Sequence, residues 1–405
     1  MDTTPDQTLR VRCCIAGGGP AGMMLGFLLA RAGIEVLVLE KHADFLRDFR
    51  GDTIHPSTLE VMSELGLLDE FLKLPHQEAR QATMTIGDTP IKLADFSHLP
   101  TRCKFIALMP QWDFLDFLAD QGRKYPHFHL RMQAEVTDLI EDGGRVAGVR
   151  VDTPEGPLEV RADLVVGADG RRSIVRDKAG LTVENIGAPM DVLWMRIPRA
   201  PSDPDQLQGR IGAGQMLILI DRGAYWQCAY VIPKGSLDKV REKGLEAFRA
   251  SLAKLAPFLG ERVRELQDWD DIKLLTVAVD RLERWSKPGL LCIGDAAHAM
   301  SPIAGVGINL AIQDAVAAAN ILSGPLAKGA PEPERLEAVQ RRRDFPTRMT
   351  QRVQVLLQNR LISRVLAGTG PIAPPWLMRA VSRWPLLQRL PARMIGMGFR
   401  PEHVR

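Results

Sequence analysis

Three short segments place glycines and acids at spacings that can handle a phosphate, a sugar and a flat ring. The first is Gly17-x-Gly19-x-x-Gly22, with Pro20 and Ala21 inside it. In such a run the first glycine permits a tight turn and the second lets backbone approach a pyrophosphate. The third lets the following helix pack close to its strand, and the helix N-terminus then offers N–H groups and a positive dipole end to the phosphates. Glu40 stands 18 residues after Gly22 and is followed by Lys41, which we assign to the same site. A carboxylate there accepts hydrogen bonds from ribose hydroxyls and disfavours a 2′-phosphate. The second segment is Gly167-Ala168-Asp169-Gly170-Arg171-Arg172-Ser173, running on to Arg176. Alone it reads as an ordinary Asp-Gly turn with Ser173 capping a helix. Beside a nucleotide, Asp169 would fix a loop and the arginines would meet phosphate. The third is Gly294-Asp295, then His298, Pro302 and Gly305-Val306-Gly307-Ile308-Asn309. Asp295 is placed for a chain of hydroxyls, and the bare backbone of Gly305 and Gly307 for a flat ring or an oxyanion. His298 reads as packing of its loop.

The elements that must position these residues follow from the flanking patterns. Val11–Ala16 is an apolar strand, Met23–Ala32 an apolar helix, and Ile34–Glu40 a second strand. Strand, glycine turn, helix and strand make the first βαβ unit of a dinucleotide fold. Pro56–Leu65 and Leu67–Leu74 read as helices, Lys104–Met109 as a strand and Trp112–Arg123 as a helix opened by Gln111. Val136–Ile140, Val146–Val151, Leu158–Arg161 and Leu164–Gly167 read as four strands. Between about 183 and 279 short strands dominate, with one helix over Ser236–Leu255, and a long helix follows from Val306 to Leu322. The expected architecture is α/β: a Rossmann-like domain built from 10–75, 100–182 and 280–330. A mostly antiparallel β-sheet domain is inserted (76–99 and 183–279), and a helical segment ends the chain (331–405).

With 405 residues, 45% hydrophobic and 25% charged, the chain has the composition of a globular protein of two or three domains. Five cysteines at no zinc-like spacing point to a reducing cytoplasm rather than to disulfides or a metal. The polar N-terminus lacks a signal-peptide core, and no run of 18 apolar residues is present. The net charge of +3 demands no nucleic-acid partner, but it is unevenly spread. Residues 345–405 hold ten arginines, no lysine and one acid, leaving −6 for residues 1–344. In that basic segment Arg379, Arg383, Arg389 and Arg393 mix with Trp376, Leu377, Trp384, Leu386 and Leu387. Two readings are open. The simpler is a helical flap across the two domains, its arginines solvated or paired with the acidic body. The other is peripheral contact with an anionic membrane. Nothing in the sequence fixes an oligomeric state.

Taken in order, the three glycine segments resemble those of the FAD-dependent aromatic hydroxylases with the p-hydroxybenzoate hydroxylase fold, the single-component flavoprotein monooxygenases. The likeness covers roughly residues 10–345. It implies that Gly17, Gly19, Gly22 and Glu40 bind the ADP half of FAD. Asp169 and Arg176 would lie near FAD and a transient NAD(P)H site, and Asp295 near the ribityl–pyrophosphate. Gly305–Asn309 would face the isoalloxazine. Arg50 resembles the family's mobile-flavin arginine and Gln111 a frequent FAD contact. No second GxGxxG follows Glu40, as expected for a family without a separate NAD(P)H domain. The Trp-x-Trp-x-Ile-Pro run of flavin halogenases is missing; Trp226–Pro233 has one Trp at the wrong spacing.

The implied reaction is hydride transfer from NAD(P)H to FAD, capture of O2 as a flavin C4a-hydroperoxide and oxygen transfer to an aromatic or other electron-rich, lipophilic small molecule. A reductase or epoxidase on the same fold is the alternative, and a non-catalytic binding protein a more distant one. The flavin would carry the chemistry, with His55, Arg50 and Pro302 as the side chains placed to assist. Tyr225, Trp226 and Tyr230 alternate along a strand of the inserted domain. One or two of them are expected to line the substrate pocket, with core packing the equal alternative.

Overall fold

A computed structural model describes residues 7–46, 53–204, 208–368 and 373–405. The strand Gln7–Ala16 lies mid-sheet, parallel to Val36–Leu39 on one side and to Leu158–Gly167 on the other. Helix α1 (Pro20–Arg31) returns over it and is buried from Ala21 to Ala30. A run this apolar on every face belongs inside a parallel α/β layer, where both sheet faces are covered. Helices α2 (Pro56–Glu64) and α3 (Leu68–Phe71) follow. Then comes the strand Ile106–Leu108, with α4 (Gln111–Arg123) behind it.

The strands read as Leu158–Arg161 and Leu164–Gly167 are one, Gly156–Gly167. Its first half pairs antiparallel with Gly148–Thr153, its stretch Leu158–Gly167 parallel with Gln7–Ala16, and its end parallel with Leu290–Cys292. Continuous partners carry the backbone through the polar Arg161-Ala162-Asp163 step. Helix α5 (Ile174–Lys178) starts just beyond it. Among the described residues this sheet has eight strands.

A second sheet, of seven described strands, runs Lys273–Leu275, Met190–Pro198, Tyr225–Pro233, Gln215–Asp221, Gln208–Gly212, Gln81–Ile86 and Thr89–Asp95. Gln208–Gly212 was not read from the sequence; it joins the sheet by pairing parallel with Gln81–Ile86. The helix expected over Ser236–Leu255 is two, α6 (Leu237–Glu242) and α7 (Leu245–Leu255), parted at Gly244 with φ +84°. Together with residues 257–266, α7 covers one face of this sheet.

The chain then returns to the first sheet and enters α8 (Gly307–Lys328). The stretch Ile303–Lys328 is long and apolar enough to cross a membrane, but 78% of its apolar 18-residue window is buried inside the protein. Packed along α8 lies α9 (Pro333–Leu357), which runs through a π-turn at 358–362 into α10 (Ser363–Ala367). Finally α11 (Trp376–Arg383) and α12 (Pro385–Gly396) lie on the edge strand Thr89–Asp95, and α12 also on the turn at 96–98.

Candidate active site

The glycine turn is built as its spacing demands. Gly17 has φ +106°, and a Cβ there would lie 2.4 Å from the Ala168 carbonyl oxygen. A Cβ on Gly22 would lie 2.0 Å from the Gly17 oxygen, so only glycine lets α1 start this close to its strand. Gly19 is different: nothing lies within 4 Å of where its Cβ would be. It is the N-cap of α1, with Pro20 first in the helix, no side-chain cap and no acid in the first turn. The first N–H groups of a helix have no partner within it, so α1 ends in unclaimed donors beside open space. Glu40 closes the same corner, accepting from the backbone N–H of Gly18 (3.0 Å) and His42 (3.1 Å). Lys41 turns away, exposed, to within 3.9 Å of Glu135.

Asp169 satisfies itself locally. It accepts from the Ser173 hydroxyl (2.5 Å) and the Val175 N–H (3.2 Å), while Ser173 accepts from the Arg176 N–H. Burial pushes its carboxyl above the usual range, and those hydrogen bonds pull the other way. The loop so closed is the wall behind Gly17. From it Arg171 reaches Asp295, with Nε 3.2 Å from Oδ2, so the second and third segments meet.

In the third segment Ala304 and Gly305 have φ +61° and +63°. For alanine that is a strained backbone. Thr53 holds the turn by donating its hydroxyl to the Gly305 carbonyl (3.0 Å). Asn309 spends its side chain on anchoring, its Oδ1 accepting from the His55 N–H (3.0 Å) and the Thr58 hydroxyl (2.7 Å). The first turn of α8 therefore keeps its backbone face for something else. Like α1 it has no side-chain cap and no acid in the first turn, and Gly307 has open space at its Cβ position. Ile308 is buried, and Pro302 sits half-buried at the head of the turn, its carbonyl accepting from the Gly305 N–H. Gln111 is half-buried as the first residue of α4.

Behind α8 lies a buried chain of charges that the sequence reading missed. His298 Nε2 is 2.6 Å from Asp314, whose other oxygen is 2.9 Å from Arg343 Nε. Arg343 and Arg342 both meet Glu402. Burial opposes ionisation of Asp314, but His298 and Arg343 outweigh it and hold the carboxyl below its usual range. A signal was available: a carboxylate inside the largely apolar run Leu310–Ala319 needs a buried partner. His298 thus belongs to the loop's packing, as its solitary position indicated.

His55 is fully buried at the N-cap of α2. Its Nδ1 is 2.7 Å from the Ile395 carbonyl. A carbonyl can only accept, so Nδ1 carries the proton and Nε2 a lone pair, which has no partner among the described residues. Burial pushes the imidazole down to about 4. Arg50 lies outside the described residues.

A cavity of about 270 Å³ lies between α8, α9 and α12, against the Ile303–Gly305 turn. Its lining is mainly apolar, including Val306, Leu357, Met394 and Phe399. Gln313 also lines it, with an amide nitrogen that has no partner among the described residues. The aromatic residues expected at a pocket are elsewhere. Trp226 and Tyr230 share the sheet face that α7 covers: Trp226 packs edge-on against Phe258 and donates to Asp203, and Tyr230 packs against Phe248. Tyr225 lies under the Arg196 guanidinium. The opposite face carries Ala229 and Val231, and Val231 belongs to the cluster against which Ile303 packs.

Two uncapped helix starts, an acid at the end of the second strand and a bare glycine turn fit a dinucleotide whose ring end reaches α8. Comparison with known proteins agrees. Residues 10–353 match the model of the FAD-binding domain family. The chain is 32% identical over 381 residues to 6-methylpretetramide 4-monooxygenase of Streptomyces rimosus, covering 93% of this chain and 91% of that one. The anhydrotetracycline hydroxylase OxyS of the same species superposes with a TM-score of 0.73 at 25% identity, over 96% of this chain and 76% of that one. The p-nitrophenol 4-monooxygenase PnpA of Pseudomonas putida shares the fold, with a TM-score of 0.76 at 20% identity over 95% and 97%. From its motifs, its fold and these relatives, the chain belongs to the FAD-dependent aromatic hydroxylases, flavoprotein monooxygenases with the p-hydroxybenzoate hydroxylase fold.

Proposed function

We propose that this monooxygenase uses NAD(P)H and O2 to hydroxylate an electron-rich aromatic molecule of low polarity, held in the cavity beside the Ile303–Gly305 turn. The observation that carries this reading is the meeting of an apolar cavity with the bare start of α8. When bound, FAD supplies the hydride-accepting and oxygen-activating chemistry. The chain supplies the rest. The first N–H groups of α1 would take the pyrophosphate, and Glu40 would hold ribose hydroxyls. Asp295, steadied by Arg171, meets the ribityl chain, and Gln111 lies on the same path. The N–H groups of Gly307, Ile308 and Asn309 would meet the flavin ring, where such donors stabilise negative charge. Asp169 acts by shaping the wall behind Gly17.

Ile303, Val306, Leu357 and Met394 keep water from the reacting atoms. Gln313 offers its free amide donor to a carbonyl or phenolate oxygen of the substrate. A mainly apolar small-ligand pocket with this amide donor in its wall suits an aromatic ring with an oxygen handle. His55, neutral at physiological pH, holds the Ile395 carbonyl and keeps Nε2 as a buried acceptor. So weak a base orients a hydroxyl rather than removing its proton.

The test is turnover by the purified, FAD-loaded chain. A substrate accelerates NAD(P)H oxidation in an oxygen-dependent way, and its product gains one oxygen atom. If candidate aromatics speed flavin reduction but leave unchanged under air, with only hydrogen peroxide formed, the reductase alternative replaces this reading.

A further inference from the structure

Helices α11 and α12 present a surface that oxygenase chemistry does not use. Helix α12 buries Gln388, Ala392 and Gly396 against the rest of the protein. Its opposite side leaves Leu386 and Leu390 69% and 66% exposed. On α11 Trp376 is 79% exposed and Leu377 57%, and Trp384, at the joint between the two helices, is 59% exposed. Large side chains this open to water, crowded between residues 376 and 390, mark an interaction surface.

Charge identifies the occupant. Arg379, Arg383, Arg389 and Arg393 are all exposed among these apolar residues, and among the described residues none pairs with a carboxylate. No acid occurs anywhere from residue 345 to 401. The flap is therefore docked through α12's inner side, while its arginines stay solvated instead of pairing with the acidic body. A second copy is a poor occupant. A two-fold interface sets the same patch against itself, and here it would bury arginines against arginines with no counter-charge. Tryptophan and leucine with interleaved arginine is instead the composition of a helix lying in the boundary of an anionic bilayer, where aliphatic stems and rings enter the acyl region and guanidinium groups meet phosphate.

We propose that α11 and α12 seat this protein on an anionic lipid surface, with Trp376, Trp384, Leu386 and Leu390 inserted and the four arginines on lipid phosphates. The same α12 also lines the cavity, with Pro391, Met394 and Ile395. Resting on the function proposed above, this arrangement gives a bilayer-dissolved aromatic a path one helix thick to the cavity.

Co-sedimentation of the FAD-loaded full chain with vesicles tests this. Phosphatidylcholine vesicles enriched in phosphatidylglycerol should bind it about tenfold or more tightly than phosphatidylcholine alone, and high salt should weaken that binding. A Trp384→Ser/Leu390→Ser double variant should lose about tenfold in partitioning while keeping its flavin spectrum. Absence of vesicle binding overturns the proposal, as does equal binding to neutral and anionic vesicles or full binding by the double variant. A dimer in light scattering that the double variant dissolves, without vesicle binding, assigns the face to a second copy and also overturns it. Oxygen-dependent turnover without vesicle binding removes this inference and leaves the function standing. Vesicle binding by a chain that oxygenates nothing does the reverse.

Discussion

Three helices start at the three glycine segments, and they start differently. Helix α5 is capped: Ser173 and Asp169 take up its first N–H groups. Helices α1 and α8 are bare, without side-chain cap or first-turn acid. A cap is worth about 1 kcal/mol to a helix; α1 and α8 go without it at glycines, Gly19 and Gly307, that have open space where a Cβ would be, and that space suits these two ends to a ligand. The capped segment serves those ends indirectly, as a wall behind Gly17 and, through Arg171, as a brace for Asp295.

That contrast can be broken in several ways. The largest effect is expected at α1. Gly19→Glu finds open space, so the apo-protein should melt within a few degrees of wild type, yet FAD affinity should fall about a thousandfold or more, about 4 kcal/mol, in a fluorescence titration. Equal affinity would remove α1 as the phosphate site. Next comes the charge chain behind α8. Arg343→Met takes one partner each from the buried Asp314 and Glu402, leaving them His298 and Arg342, and should cost about 3 kcal/mol in urea unfolding. A cost under 1 kcal/mol would show the chain to be ornamental.

A smaller effect comes from His55. The unfolded chain protonates it near its ordinary value of about 6.5, the folded protein only near 4. Between those values the unfolded state holds more protons, so stability rises with pH. Acidifying from pH 7 to pH 5 should cost about 2 kcal/mol through this residue, and His55→Gln should flatten the slope. The smallest effect tests the capped helix: Ser173→Ala should lower stability by about 1 kcal/mol and leave FAD affinity within about twofold. A loss of affinity as large as that of Gly19→Glu would erase the distinction between capped and bare ends.

What the sequence disclosed, and what it hid, follows the range of the interactions. The turn at Gly17–Gly22 is legible because its strand, glycines and helix are contiguous. The third segment was legible as bare backbone but not as an anchored loop, because Thr53, His55 and Thr58 hold Gly305 and Asn309 from some 250 residues away. Tyr225, Trp226 and Tyr230 stayed open between pocket and core for another reason. Their strand is buried on both faces from Trp226 to Ile232, so alternation gives no clue to which face meets a ligand. Helix α7, later in the chain, decides it. The tail's composition announced a basic apolar segment, yet only the packing of Gln388, Ala392 and Gly396 tells which side of α12 is left outside.

The charge chain has a consequence for the order of synthesis. Asp314 meets Arg343 after 29 further residues, but Glu402 joins Arg343 only 59 residues later still. The Glu402 N–H also bonds Gln313, 89 residues upstream. At roughly 5–20 residues per second on the ribosome, α8 waits about 5–20 s for the residues that complete its surroundings. Through that interval the helix that most resembles a membrane span stands without its last partners.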